Sequence, residues 1–194
     1  MAVVPPRDPG DIRADMDRAQ ADLQAAQTLQ AQAKGLQVEA DAQLEVRKRD
    51  IDALNSRIKL ADKQKQQADK ISLQAQKKSA ELTRDLLQRR KDLRGEEVDA
   101  AKAAEARAEA AQRAYQLELE LANRRSEQRA IQANSTPIDR ARAAQVVRQL
   151  ELRTLEAQRD LANRTKELAD RNKEVVQRRL DLLKAQQKLL APGN

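Results

Sequence analysis

The chain has 194 residues, 36% of them charged, with a formal net charge of +7 and a single aromatic side chain, Tyr115. A compact core of this size would draw on aromatic and β-branched residues, so the dominance of Ala, Leu, Gln, Lys, Arg, Glu and Asp points to long helices and an all-α fold. There is no Cys and no His, which excludes disulfides, thiolate chemistry, the usual catalytic triads and histidine-ligated zinc or di-iron centres.

Residues 1–10 read as an extended arm: Pro5, Pro6 and Pro9 resist helix, and Asp8-Pro9-Gly10-Asp11 supplies a cap, a proline and an acid for a helix that starts near residue 11. From Ile12 onward no proline occurs before Pro137. The expectation is one long helix over 11–134, with bends at Gly35 or Gly95, since glycine weakens a helix interior by about 1 kcal/mol.

Seven-residue spacing supports that continuity. One row runs Ile12, Ala19, Ala26, Ala33, Ala40, Arg47, Leu54, Ala61 and on to Ile131; a second runs Met16, Leu23, Gln30, Gln37, Leu44, Ile51, Ile58 and on to Gln128. Of these 35 positions 24 are apolar, against 40% of the whole chain. A competing row, Leu60, Ile71, Leu82, Leu93, Ala104 and Tyr115, recurs every 11 residues, which weakens supercoiling.

Asn134-Ser135-Thr136-Pro137 is then the one strong turn. Thr136 suits an N-cap, Pro137 the first helical position, and Asp139 the positive end of the helix dipole. A shorter antiparallel helix over 135–191 should follow, ahead of a tail at 192–194. Apolar pairs recur along it at Leu161-Ala162, Leu168-Ala169, Val175-Val176 and Leu182-Leu183, a stripe wide enough for two neighbours. Folding about the turn sets Leu117 near Leu155 and Ala110 near Ala162. It leaves residues 11–81 without a partner in the same chain.

That uncovered stretch carries the functional expectation. Ile12, Leu23, Leu44, Ile51, Leu54 and Ile58 form a self-association seam, and the expected role is a structural coiled-coil hairpin that homo-oligomerises into a bundle, scaffold, spacer or filament. The alternative is a peripheral membrane-binding or remodelling module. Its contacts to an anionic surface would come from Arg47, Lys48, Arg49, Lys77, Lys78, Arg89, Arg90 and Lys91. Acids interleave these bases and no aromatic platform exists for stacking, so nucleic acid is disfavoured as a partner.

No glycine-rich phosphate loop and no concave carboxylate site is evident, so the reading is non-enzymatic, with no cofactor, metal or small-molecule substrate. No run approaches the roughly 20 apolar residues of a spanning helix. The chain reads as soluble, either cytoplasmic or a bacterial cell-envelope domain without its signal or anchor. In outline such a hairpin resembles those of membrane-remodelling ESCRT-III-like and BAR proteins and of bacterial envelope spacers, though no motif ties the chain to any of them.

Overall fold

The computed structural model describes residues 4–132 and 136–190. They form three long helices that pack against one another, α1 (Pro9–Lys63), α2 (Gln67–Gln132) and α3 (Pro137–Leu190), with no strand among the described residues. The expected helix over 11–134 is therefore two helices. Neither glycine breaks them: Gly35 lies inside α1 and Gly95 inside α2.

The break falls at Gln64–Gln66, where there is neither glycine nor proline. The Gln66 N–H donates to the Ala61 carbonyl at 3.0 Å and the Lys65 N–H to the Asp62 carbonyl at 3.2 Å. These are the paired bonds of a Schellman ending, which needs a left-handed residue between helix and exit. Lys65 fills that position with φ 57°. The Gln66 carbonyl then accepts from the Lys70 N–H at 3.0 Å to open α2, and Lys70 Nζ reaches back to the Asp62 carboxylate at 2.5 Å.

At the other reversal, Asn134 and Ser135 lie outside the described residues. Thr136 Oγ1 accepts the Asp139 N–H at 3.2 Å and donates to the Asp139 carboxylate at 2.6 Å, so α3 begins on a hydroxyl cap with Pro137 at its first position.

The chain divides into two compact units, Met1–Thr28 with Ala101–Asp170, and Leu29–Ala100 with Arg171–Asn194. In the first, α1 pairs with α2 through Gln20–Gln112, Asp22–Arg107 and Gln27–Glu105, and α2 pairs with α3 through Arg125–Glu151, Glu118–Gln158 and Arg113–Asp160. In each set one number rises as the other falls, so neighbouring helices run antiparallel. The second unit repeats this order with Asp41–Lys91 between α1 and α2, and with Glu96–Arg178 and Glu97–Arg179 between α2 and α3.

The middle helix is built for two neighbours. Ala100, Ala101, Ala103, Ala108, Ala110, Ala111 and Ala114 are all buried. A methyl side chain buries little area but lets a second helix axis approach to the close end of the usual 8–10 Å range. Larger residues close the ends of these alanine stretches: Leu121, Val147 and Leu150 with Val4 in the first unit, and Leu93 and Val175, flanked by Leu182, around Ala100 in the second.

Candidate interaction surfaces

The most elaborate polar arrangement lies in the first unit, where residues 4–8 pack onto α2 and α3. Val4 is buried against Leu121, Val147 and Leu150, and its carbonyl accepts from Arg125 Nη2 at 2.9 Å. The same guanidinium pairs with Glu151 at 2.6 Å. Arg7 donates to the buried Glu118 at 2.9 Å and to Asp15, and its guanidinium lies 5.9 Å from the centre of the Tyr115 ring. Glu118 takes a further bond from Gln158 at 2.5 Å. The hydrogen bond from Arg7 holds the Asp15 carboxyl below the usual aspartate range, against the opposing effect of burial.

A cavity of about 240 Å³ opens beside this arm, walled by Pro6, Ile12, Leu121 and the aliphatic parts of Arg125 and Arg129. Two of its arginines pair with acids: Arg7 with Glu118 and Asp15, Arg125 with Glu151. The network anchors the arm. Among the described residues no cluster of acids could hold a metal ion, and no helix is long and apolar enough to cross a membrane.

The seam expected to drive self-association is covered by the chain itself. Ile12, Leu44 and Ile51 are buried, at 1%, 3% and 7% exposure, and Leu23, Leu54 and Ile58 are half-buried. The cause is the reversal at Gln64–Gln66, which lays α2 along α1 where the sequence left residues 11–81 bare. The spare apolar surface lies elsewhere.

Two exposed rows stand out in the second unit. On α1, Leu29, Leu36 and Val46 are 57%, 41% and 60% exposed, and spacings of 7 and 10 residues put them on one helix face. Glu39 and Asp50 share that face with Arg47, which pairs with Asp50 at 3.2 Å, so Glu39 is the acid not paired to that base. On α3, Val176, Leu180 and Leu183 are 56%, 46% and 54% exposed at the i, i+4, i+7 spacing of a single stripe, flanked by Lys173 and Lys184. Each apolar pair read from the sequence thus splits, with Val175 and Leu182 turned inward and Val176 and Leu183 left outside. The same division exposes Ala162 and Ala169 while Leu161 and Leu168 are half-buried.

The bases expected to meet an anionic surface are not one patch. Arg47 is half-buried on α1 and pairs with Asp50; Lys48 pairs with Glu45, Lys77 with Glu81 and Lys91 with Asp41. Arg49, Lys78, Arg89 and Arg90 are exposed. Another basic group went unread, because the reversal was unread: Lys59, Lys63 and Lys65 are exposed around it, with Leu60 and Ile71 at 55% and 60% exposure.

No protein-family model matches this chain, and no curated protein or solved structure matches it.

Proposed function

We propose that the protein is a non-enzymatic helical scaffold that assembles with copies of itself, the acidic α1 row of one copy meeting the basic α3 row of the next. The observation that carries this reading is the pair of exposed aliphatic rows in one unit, Leu29/Leu36/Val46 beside Glu39 and Val176/Leu180/Leu183 beside two lysines. Apolar rows of this regularity are the faces on which helices associate, and the opposite flanking charges select α1 against α3 over either row against itself. An interface between two different faces is heterologous and leaves one of each free after every addition, so it extends into a filament unless the geometry closes a ring.

Six half-exposed aliphatic side chains would contribute on the order of 6 kcal/mol when buried. Association costs about 4–15 kcal/mol in lost freedom, so a single contact is weak and assembly is strongly concentration-dependent. Size-exclusion chromatography with light scattering, across a series reaching about 1 mM, tests this. Mass should rise with concentration, Leu180→Asp with Leu183→Asp should hold the chain monomeric, and mixing Glu39→Lys with Lys184→Glu chains should restore association that each lacks alone. A wild-type chain that stays monomeric throughout refutes the proposal.

A further inference from the structure

We propose a second surface, independent of those rows: the reversal between α1 and α2 docks on anionic lipid headgroups.

Residues 46–84 contain eleven Lys and Arg against five Asp and Glu, so they hold +6 of the chain's net +7. This is the stretch that α3 does not reach. In the second unit α3 meets α2 at Arg178–Glu96 and Arg179–Glu97. In that register its last helical residue, Leu190, falls opposite residue 85 of α2. Beyond it, among the described residues, α1 and α2 continue as a pair joined through Gln64–Gln66.

The basic residues gather where the backbone turns. Lys59, Lys63 and Lys65 are exposed, whereas Lys70 is tied to Asp62. Leu60 lies four residues before the break and Ile71 five after it, each about 6–8 Å along its helix from it, and both are more than half exposed. Bare aliphatic side chains among flexible lysines form the combination that settles into a headgroup layer, the apolar parts sinking shallowly while the ammonium groups stay with the phosphates.

Charge decides among occupants. A second copy of this end would bring +6 against +6. Nucleic acid would gain from the charge, but the stretch has no aromatic residue for stacking and no use for Leu60 and Ile71. An anionic membrane uses both features. Each base held near such a surface strengthens binding about fivefold, and the effect fades within a Debye length of about 10 Å at 0.1 M salt.

The test is co-sedimentation of the full chain with vesicles of phosphatidylserine and phosphatidylcholine, beside vesicles of phosphatidylcholine alone. Binding should require the anionic lipid and fall with salt. Lys63→Glu with Lys65→Glu should weaken it roughly 25-fold or more. Leu60→Gln with Ile71→Gln should weaken it several-fold at unchanged charge. Circular dichroism checks that each variant remains helical; a variant that loses helix is replaced by Lys59→Gln with Lys63→Gln. The idea is overturned by absence of binding, by equal binding to neutral vesicles, or by charge reversal without effect. Displacement by duplex DNA or polyglutamate, with the aliphatic variant binding normally, would reassign the surface to a soluble polyanion. Leu180→Asp with Leu183→Asp should leave vesicle binding unchanged, which separates this surface from the self-association rows.

Discussion

Lys65→Gly should stabilise the protein, and the sign of that change tests the three-helix fold. Lys65 sits at φ 57°, where a side chain with a Cβ costs about 1–2 kcal/mol. Glycine removes that cost but gives up about 0.5–1 kcal/mol through the greater freedom of the unfolded chain. The net gain should be about 0.5–1 kcal/mol, a rise in Tm of about 2 °C for a chain of this size. Lys65→Ile should move the other way, because a β-branched residue is poorly tolerated with positive φ. If residues 11–134 were instead one helix, Lys65→Gly would place glycine mid-helix and destabilise by about 1 kcal/mol. Urea or thermal unfolding of the two variants is sufficient. A destabilised Lys65→Gly chain, or a Lys65→Ile chain no weaker than wild type, would refute the reversal.

The glycines in the helices predict the complementary result. At Gly35 an added Cβ meets nothing within 4 Å, and at Gly95 the nearest atom is the Gln37 side-chain nitrogen at 3.8 Å, so Gly35→Ala and Gly95→Ala should each add about 0.5–1 kcal/mol by urea unfolding. Leu121→Ala, at a position 1% exposed in the cluster that holds Val4, should cost about 2–5 kcal/mol in the same assay. Glu118→Ala should cost about 1–3 kcal/mol, because it leaves Arg7 and Gln158 without their buried acceptor, and it should increase proteolytic cleavage near Arg7. For Glu97, burial pushes the carboxyl up, but hydrogen bonds from Arg179 and Arg94 more than offset this and hold it below its ordinary value of 4.5. Its contribution to stability is therefore present above pH 4.5 and lost as pH falls through the lowered folded value. Glu97→Gln should flatten the decline of stability with acid in that window, read from urea unfolding at a series of pH values.

The inner face of α1 was legible because its residues repeat strictly. Ile12, Ala19, Ala26, Ala33 and Ala40 are spaced by seven and all are buried. The reversal was not legible, because its left-handed residue is a lysine where glycine is usual. Spacing concealed it further: Ala61 and Ala68 are seven apart on either side of the turn, so the frame ran on, yet Ala61 is buried and Ala68 exposed. In a chain this rich in alanine almost any frame finds apolar residues, and phase alone cannot separate a continuous helix from one that stops and returns. The polar run Lys63-Gln64-Lys65-Gln66-Gln67, which sets a lysine on the apolar row, was the available warning.

The doubled alanines of α2 contain the other half of the answer. Ala100 with Ala101, and Ala110 with Ala111, place methyl groups on adjacent faces of one helix, and all four are buried. A helix with one neighbour needs one such face; two faces require two neighbours, so a third helix alongside α2 follows from the composition of α2 itself. Once α1 and α3 occupy those faces, Ile12, Leu44 and Ile51 of the seam read from residues 12–58 are buried within the fold. The surfaces proposed for recognition are ones that packing does not use: the rows on α1 and α3, and the basic end at the reversal. The two differ in physical character. Salt should weaken docking of the basic end to lipid far more than it weakens association through the rows, where buried aliphatic area supplies most of the attraction. Measuring both equilibria across one salt series would therefore assign each to its surface, and an equal salt dependence would contradict that division.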